Sequence, residues 1–187
     1  MLLMPGCEFI QKHEKAAIGV GAGAVGGAAI GGLAGGRKGA VYGGLLGALA
    51  GGAVGAYLDH RDKTAEETNA QYNYQAAQGV RLEVASASAE PQTVAPGAEV
   101  RLRTTYAVMA PDPQTMLEVT EMRLVTLNGV KVVERADTVS RTPGTYTSEL
   151  PITLPPGAAA GTYQMTVVVQ TGTQVGTMAS AFAVTGG

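Results

Sequence analysis

Tryptophan is absent from this chain of 187 residues, phenylalanine and histidine each occur twice, and cysteine occurs once. Each scarcity excludes something. A single cysteine, Cys7, can close no internal disulfide and build no zinc site. The two histidines, His13 and His60, flank one glycine-rich stretch and lie far in sequence from the serines of the C-terminal half, so a hydrolytic triad has no support. No His/Cys/Asp cluster has metal-ligand spacing. Asp112, Glu118 and Glu121 near a loop invite calcium, but scattered surface acids are the simpler reading. A formal charge of −2 gives no basic field to recruit nucleic acid. The chain is therefore expected to have no catalytic residues, no metal, no cofactor and no nucleic-acid partner.

Glycine is what the chain has in excess, with 27 residues, and sixteen of them fall between Gly19 and Gly55. No Gly-X-Y triplet repeat is present, which excludes collagen, and no serine interrupts the stretch, which argues against a flexible linker. Gly19, Gly23, Gly27, Gly31, Gly35, Gly39, Gly43, Gly47, Gly51 and Gly55 form an unbroken four-residue period. A second row, from position 28 to 56, is all Gly or Ala. A spacing of four stacks residues on one face of a helix. In water, sixteen glycines would cost about 13–16 kcal/mol of helix propensity relative to alanine. In lipid an unpaired backbone costs more, and small-xxx-small rows let backbones approach closely. The pattern predicts helix-packing rows inside a membrane. Gly21-Ala22-Gly23-Ala24-Val25-Gly26 also fits G-x-G-x-x-G, but no strand precedes it, and the ladder explains it.

The only charges between Lys15 and Asp59 are Arg37 and Lys38, in a glycine-flanked turn at 35–39. The turn divides the segment into 16–34 and 40–58, each about 28 Å long as a helix and so close to the bilayer core. Arg37, Lys38, Tyr42 and Tyr57 are expected at the membrane interface. Residues 59–78 are polar and contain no Pro or Gly, which predicts a helical stalk continuing into water. From Val80 the period changes to two. Val80-Leu82-Val84, Val100 to Val108, residues 117–127 and residues 150–154 alternate; Tyr163 to Gln170 reads as a buried strand to which 174–184 returns. Asn128-Gly129 is a strong hairpin signal. About seven short strands suggest an immunoglobulin-like sandwich over 79–187, expected to fold alone.

Three resemblances sharpen this reading. Leu3-Met4-Pro5-Gly6-Cys7 resembles the end of a lipoprotein signal peptide, in which Cys7 would carry the lipid, although the charged start and most of the apolar core are missing. Residues 16–60 resemble the glycine-zipper two-transmembrane domain of bacterial envelope lipoproteins of the rickettsial surface-antigen and SlyB-like group, on the ladder, the Arg37-Lys38 turn and the exit Gly55-Ala56-Tyr57-Leu58-Asp59. The stretch from Leu150 to Val167 resembles the E-to-F corner of bacterial immunoglobulin-like domains, with Tyr163 as the corner tyrosine. Together they imply an α+β protein of two parts: residues 1–15 as leader and tether, a transmembrane glycine-zipper hairpin at 16–58, the stalk, and an all-β sandwich. The function implied is that of a structural, non-enzymatic lipoprotein of the outer membrane. Its partners would be membrane lipid, further copies of itself and other envelope proteins, with the β domain in the periplasm. The alternatives are a subunit of a pore or secretion complex, and a membrane-anchored module for carbohydrate binding or adhesion.

Overall fold

A computed structural model of the chain describes residues 54–186. The chain divides into two compact units, Met1–Val54 and Gly55–Gly187. The second is a β-sandwich of nine strands: β1 (Leu58–Lys63), β2 (Arg81–Glu90), β3 (Thr93–Val94), β4 (Glu99–Met109), β5 (Leu117–Leu127), β6 (Val130–Arg141), β7 (Gly144–Thr153), β8 (Gly161–Thr171) and β9 (Gln174–Val184). One sheet has the order β1-β7-β4-β2, the other β3-β9-β8-β5-β6.

Two-residue alternation builds the core. On β4, Val100, Leu102, Tyr106 and Val108 point inward and are buried. On β8, Tyr163, Met165, Val167 and Val169 do the same from the opposite sheet. Asn128 and Gly129 both have positive φ, at 52° and 77°, the backbone that a two-residue hairpin demands, and β5 and β6 pair on either side of them. The Tyr163 hydroxyl donates to the Ala159 carbonyl at 3.0 Å, so this residue does form the expected corner. After Glu90 the chain switches sheets, and β3 runs parallel to β9. The strand order resembles the immunoglobulin arrangement, with one difference. The edge position beside β7 is filled by β1, which precedes the rest of the sandwich in sequence.

That edge strand overturns part of the expected architecture. The described residues are mostly β, not α+β, and none of their helices is long and apolar enough to cross a membrane. The anticipated helical stalk at 59–78 is absent. Residues 58–63 pair antiparallel with β7, from Leu58↔Glu149 to Lys63↔Thr145. Only Ala65–Tyr72 form an α-helix, here α1, started by a Thr64–Glu67 capping box and stopped by Asn73 in the left-handed conformation. A 3-10 turn at Ala76–Gln78 leads to β2. Helix propensity in this polar stretch yields to the unpaired edge of β7, which offers a full ladder of backbone hydrogen bonds. The same finding shortens the expected second membrane helix. The sandwich starts at Gly55, whose N–H donates to the Pro151 carbonyl at 2.7 Å. Residues 16–53 of the expected hairpin lie outside the described residues.

Candidate functional site

The densest group of polar side chains among the described residues lies inside the sandwich, at the side closed by β1. It grows from the pleat of β5. Val119, Glu121, Arg123, Val125 and Leu127 share the inward face, which carries Glu121 and Arg123 into the core, both 0% exposed. Each Glu121 oxygen is doubly occupied. Oε1 accepts from the Tyr57 hydroxyl at 2.5 Å and the Tyr106 hydroxyl at 2.7 Å. Oε2 accepts from Arg123 Nη2 at 2.9 Å and the Ser148 hydroxyl at 2.5 Å. Arg123 Nη2 also donates to Ser148 Oγ at 2.6 Å, and the Tyr57 ring lies over its guanidinium at 5.8 Å.

Arg141, at the end of β6, ties this pair to the edge strand. Its Nε donates to the Tyr106 oxygen at 3.0 Å and its Nη2 to the Tyr57 oxygen at 2.9 Å. Its Nη1 meets Asp59 Oδ2 at 2.5 Å, and the Tyr146 ring lies 4.6 Å from its carbon centre. Two cations, Arg123 and Arg141, thus meet two anions, Glu121 and Asp59. Pairing and hydrogen bonds offset the burial of these charges, although Arg123 bonds only through Nη2 while its Nε and Nη1 are buried without a hydrogen-bond partner. Further contacts hold β1 in place: Thr147 donates to Asp62 at 2.6 Å, and Arg61 Nη2 donates to the Pro143 carbonyl at 2.5 Å. On the far side of the same sheet, α1 docks through Thr68 and Thr145, hydroxyl to hydroxyl at 2.9 Å.

The electrostatics favour a lock over a reactive centre. Burial, reinforced by the Glu121 charge, pushes the Tyr106 phenol far above its ordinary range. Burial and the hydrogen bond to Glu121 raise Tyr57 likewise. Both phenols therefore stay protonated and serve as donors to a carboxylate. For Arg141, burial works against the charge, but its bond to Tyr106 and its neighbours Tyr57 and Asp59 outweigh burial and raise its pKa.

The sequence-expected site residues fall in three places. Cys7, Gly19, Gly23, Gly27, Gly31, Gly35, Gly39, Gly43, Gly47, Gly51, Arg37, Lys38 and Tyr42 lie outside the described residues. Gly55, expected to pack a helix in the membrane, instead pairs with the backbone of Pro151, and a Cβ on it would come within 2.5 Å of the Pro151 ring. Tyr57, expected at a membrane interface, has its hydroxyl in the sandwich network. Both corrections have one cause, the extension of β-structure back to Gly55. Glu121 is no loop acid: its oxygens face Tyr57, Tyr106, Ser148 and Arg123 in the core. Arg123 and Arg141 were not anticipated, although the inward register of β5 was the signal for the first.

Residues 1–59 match the family model of the YMGG-like Gly-zipper. The match supports the glycine-zipper part of the resemblance and is consistent with a membrane-associated protein of the bacterial envelope. No curated protein matches the chain. Three solved structures are similar to parts of it. The Pseudomonas fluorescens alkylpurine DNA glycosylase AlkC, bound to DNA with an abasic-site analogue, has 15% identity and a TM-score of 0.39, over 56% of this chain and 30% of its own. A family 123 glycoside hydrolase from Clostridium perfringens has 9% identity and a TM-score of 0.42, over 71% of this chain and 27% of its own. A Paenibacillus sp. cycloisomaltooligosaccharide glucanotransferase in complex with cycloisomaltoheptaose has 18% identity and a TM-score of 0.39, over 52% of this chain and 13% of its own. The chain spans less than a third of each of these structures.

Proposed function

We propose that this chain is a non-catalytic structural protein of the bacterial envelope, in which the glycine-zipper segment associates with lipid and with further copies, while the sandwich contacts partners outside the bilayer. One observation carries the reading. The family match extends to residue 59, and the sandwich begins at Gly55, so Tyr57 and Asp59 belong to both. Those two residues, inside the zipper match, are fastened to Glu121 and Arg141 of the sandwich. In this reading Cys7 carries lipid, the outer membrane is the host bilayer, and the sandwich stands in the periplasm.

The test is fractionation of the native envelope with mass spectrometry of the mature N-terminus. The expected result is a protein that stays with outer-membrane fractions through high salt and bears lipid on Cys7. Recovery in the soluble fraction with an unmodified Cys7 thiol would refute the reading.

A further inference from the structure

The two outer faces of the sandwich differ in charge. The β1-β7-β4-β2 sheet presents a solvated face: Arg81 pairs with Glu83, Arg101 with Glu99, and Arg103 with Glu90 and Glu149. The outer face of β9-β8-β5-β6 is different. From Leu150 to the end of the sequence there is no charged residue at all, so β8 and β9 contribute none. Register places Met122 beside Val168 and Ala136, and Leu124 beside Thr166, with Ala179 next in line. These positions alternate with the buried ones and so point outward. At the margin Val175 is 58% exposed. Its charges lie toward the β5–β6 side: Glu118, and Glu134 paired with Lys131, which register sets opposite the outward Thr126. Among the described residues no element packs over it.

We infer that this face is an interaction surface and that its occupant is the same face of a second copy, sheet against sheet. Three arguments favour a second copy. Apart from Gln164 and Gln170, the outward positions of β8 and β9 are Thr, Val and Ala, so two such faces can approach to the spacing of about 10 Å at which sheets stack. Its charges are confined to the β5–β6 side, where Lys131 already pairs with Glu134, so two facing copies bury little unpaired charge. Its size also fits. Four strands of about eleven residues cover roughly 700 Å², close to the roughly 800 Å² per partner of a stable protein interface. The inference rests on the proposed function in one respect: a shared membrane raises the local concentration of sandwiches.

Cysteine crosslinking in the full chain tests it. Cys7→Ser removes the only cysteine. Ala179→Cys then places a thiol on the neutral face, and Arg101→Cys places one on the charged face. Both variants are treated with a short bis-maleimide, in vesicles of phosphatidylethanolamine and phosphatidylglycerol and in detergent. The expected result is a covalent dimer from Ala179→Cys, at least tenfold less from Arg101→Cys, and loss of the dimer when Val168→Lys is added. Val168→Thr should retain it, which separates a lost interface from a lost fold. Equal crosslinking from both faces, insensitivity to Val168→Lys, or no dimer would overturn the inference. A thiol at 179 that is shielded from maleimide in a monomer would overturn it too, because the chain's own N-terminal segment would then be the cover. Vesicle flotation of the chain purified from the native envelope, with Cys7 intact, reads membrane association separately. A chain that fails to float but forms the dimer in detergent would refute the proposed function and leave this interface standing.

Discussion

Replacing Glu121 by Gln would keep its shape and two of its hydrogen-bonding partners while removing the one anion in contact with Arg123. Both residues are 0% exposed, so the guanidinium would be left as an uncompensated buried charge. Breaking a buried pair in this way costs about 3–5 kcal/mol. Arg123→Met is expected to cost less, about 2–3 kcal/mol. Glu121 would still accept from Tyr57, Tyr106 and Ser148, with Arg141 Nη2 at 3.9 Å. The two losses overlap, because each removes the same ion pair. The double variant should therefore fall short of the sum by roughly 2–3 kcal/mol of coupling. Urea unfolding of residues 55–187, followed by far-UV circular dichroism, measures all four corners. A domain of ordinary stability, about 5–15 kcal/mol, leaves room to resolve them. Additive losses, or a Glu121→Gln variant within about 1 kcal/mol of the parent, would show that the network is not a coupled buried lock.

Three further outcomes are expected. The Tyr106 and Tyr57 phenols have folded-state pKa values raised above the unfolded value of about 10, so their stabilisation is complete below that pH and falls above it. Tyr106 alone should remove about 1.4 kcal/mol per pH unit there, and its variant Tyr106→Phe should flatten the slope in alkaline urea titrations. Tyr163→Phe removes the corner hydroxyl from Ala159 and should cost about 1 kcal/mol in the same assay, with an unchanged fold by circular dichroism. Gly129→Val places a β-branched side chain at φ 77° in the hairpin and should cost about 1–2 kcal/mol; no loss in thermal melts would mean that the turn relaxes to another type.

Sequence pattern made the interior of the sandwich legible. Leu102, Tyr106 and Val108 on β4, and Tyr163 to Val169 on β8, alternate as half-buried strands must, and Asn128-Gly129 fixed a hairpin from local chemistry alone. The strand β1 was not legible. Leu-Asp-His-Arg-Asp-Lys is exposed at every position and shows no apolar alternation. Its conformation comes from the vacant edge of β7, a partner more than eighty residues away. The same absence of apolar signal hides the length of β6, whose Glu134-Arg135-Ala136-Asp137 shows no apolar alternation yet pairs along β5. The buried charges were half legible. Glu121 and Arg123 occupy inward positions of a clear two-residue pattern, so placing them outside contradicts the register that Val119 and Val125 define. No local pattern announces that Arg141, Tyr57 and Asp59 converge on them, because that meeting depends on two edge strands closing one side of the sandwich.

The claim at the centre of this account is that the sandwich begins at Gly55, within the glycine-zipper match, and depends on β1. Side-by-side urea unfolding of residues 55–187 and 79–187 tests it most directly. The longer form should unfold in one cooperative transition. The shorter form loses β1, α1 and the Tyr57 and Asp59 partners of Arg141, and should be unfolded or at least about 3 kcal/mol less stable. Equal midpoints and equal slopes would contradict the account, because residues 55–78 would then be an appendage to a sandwich complete without them.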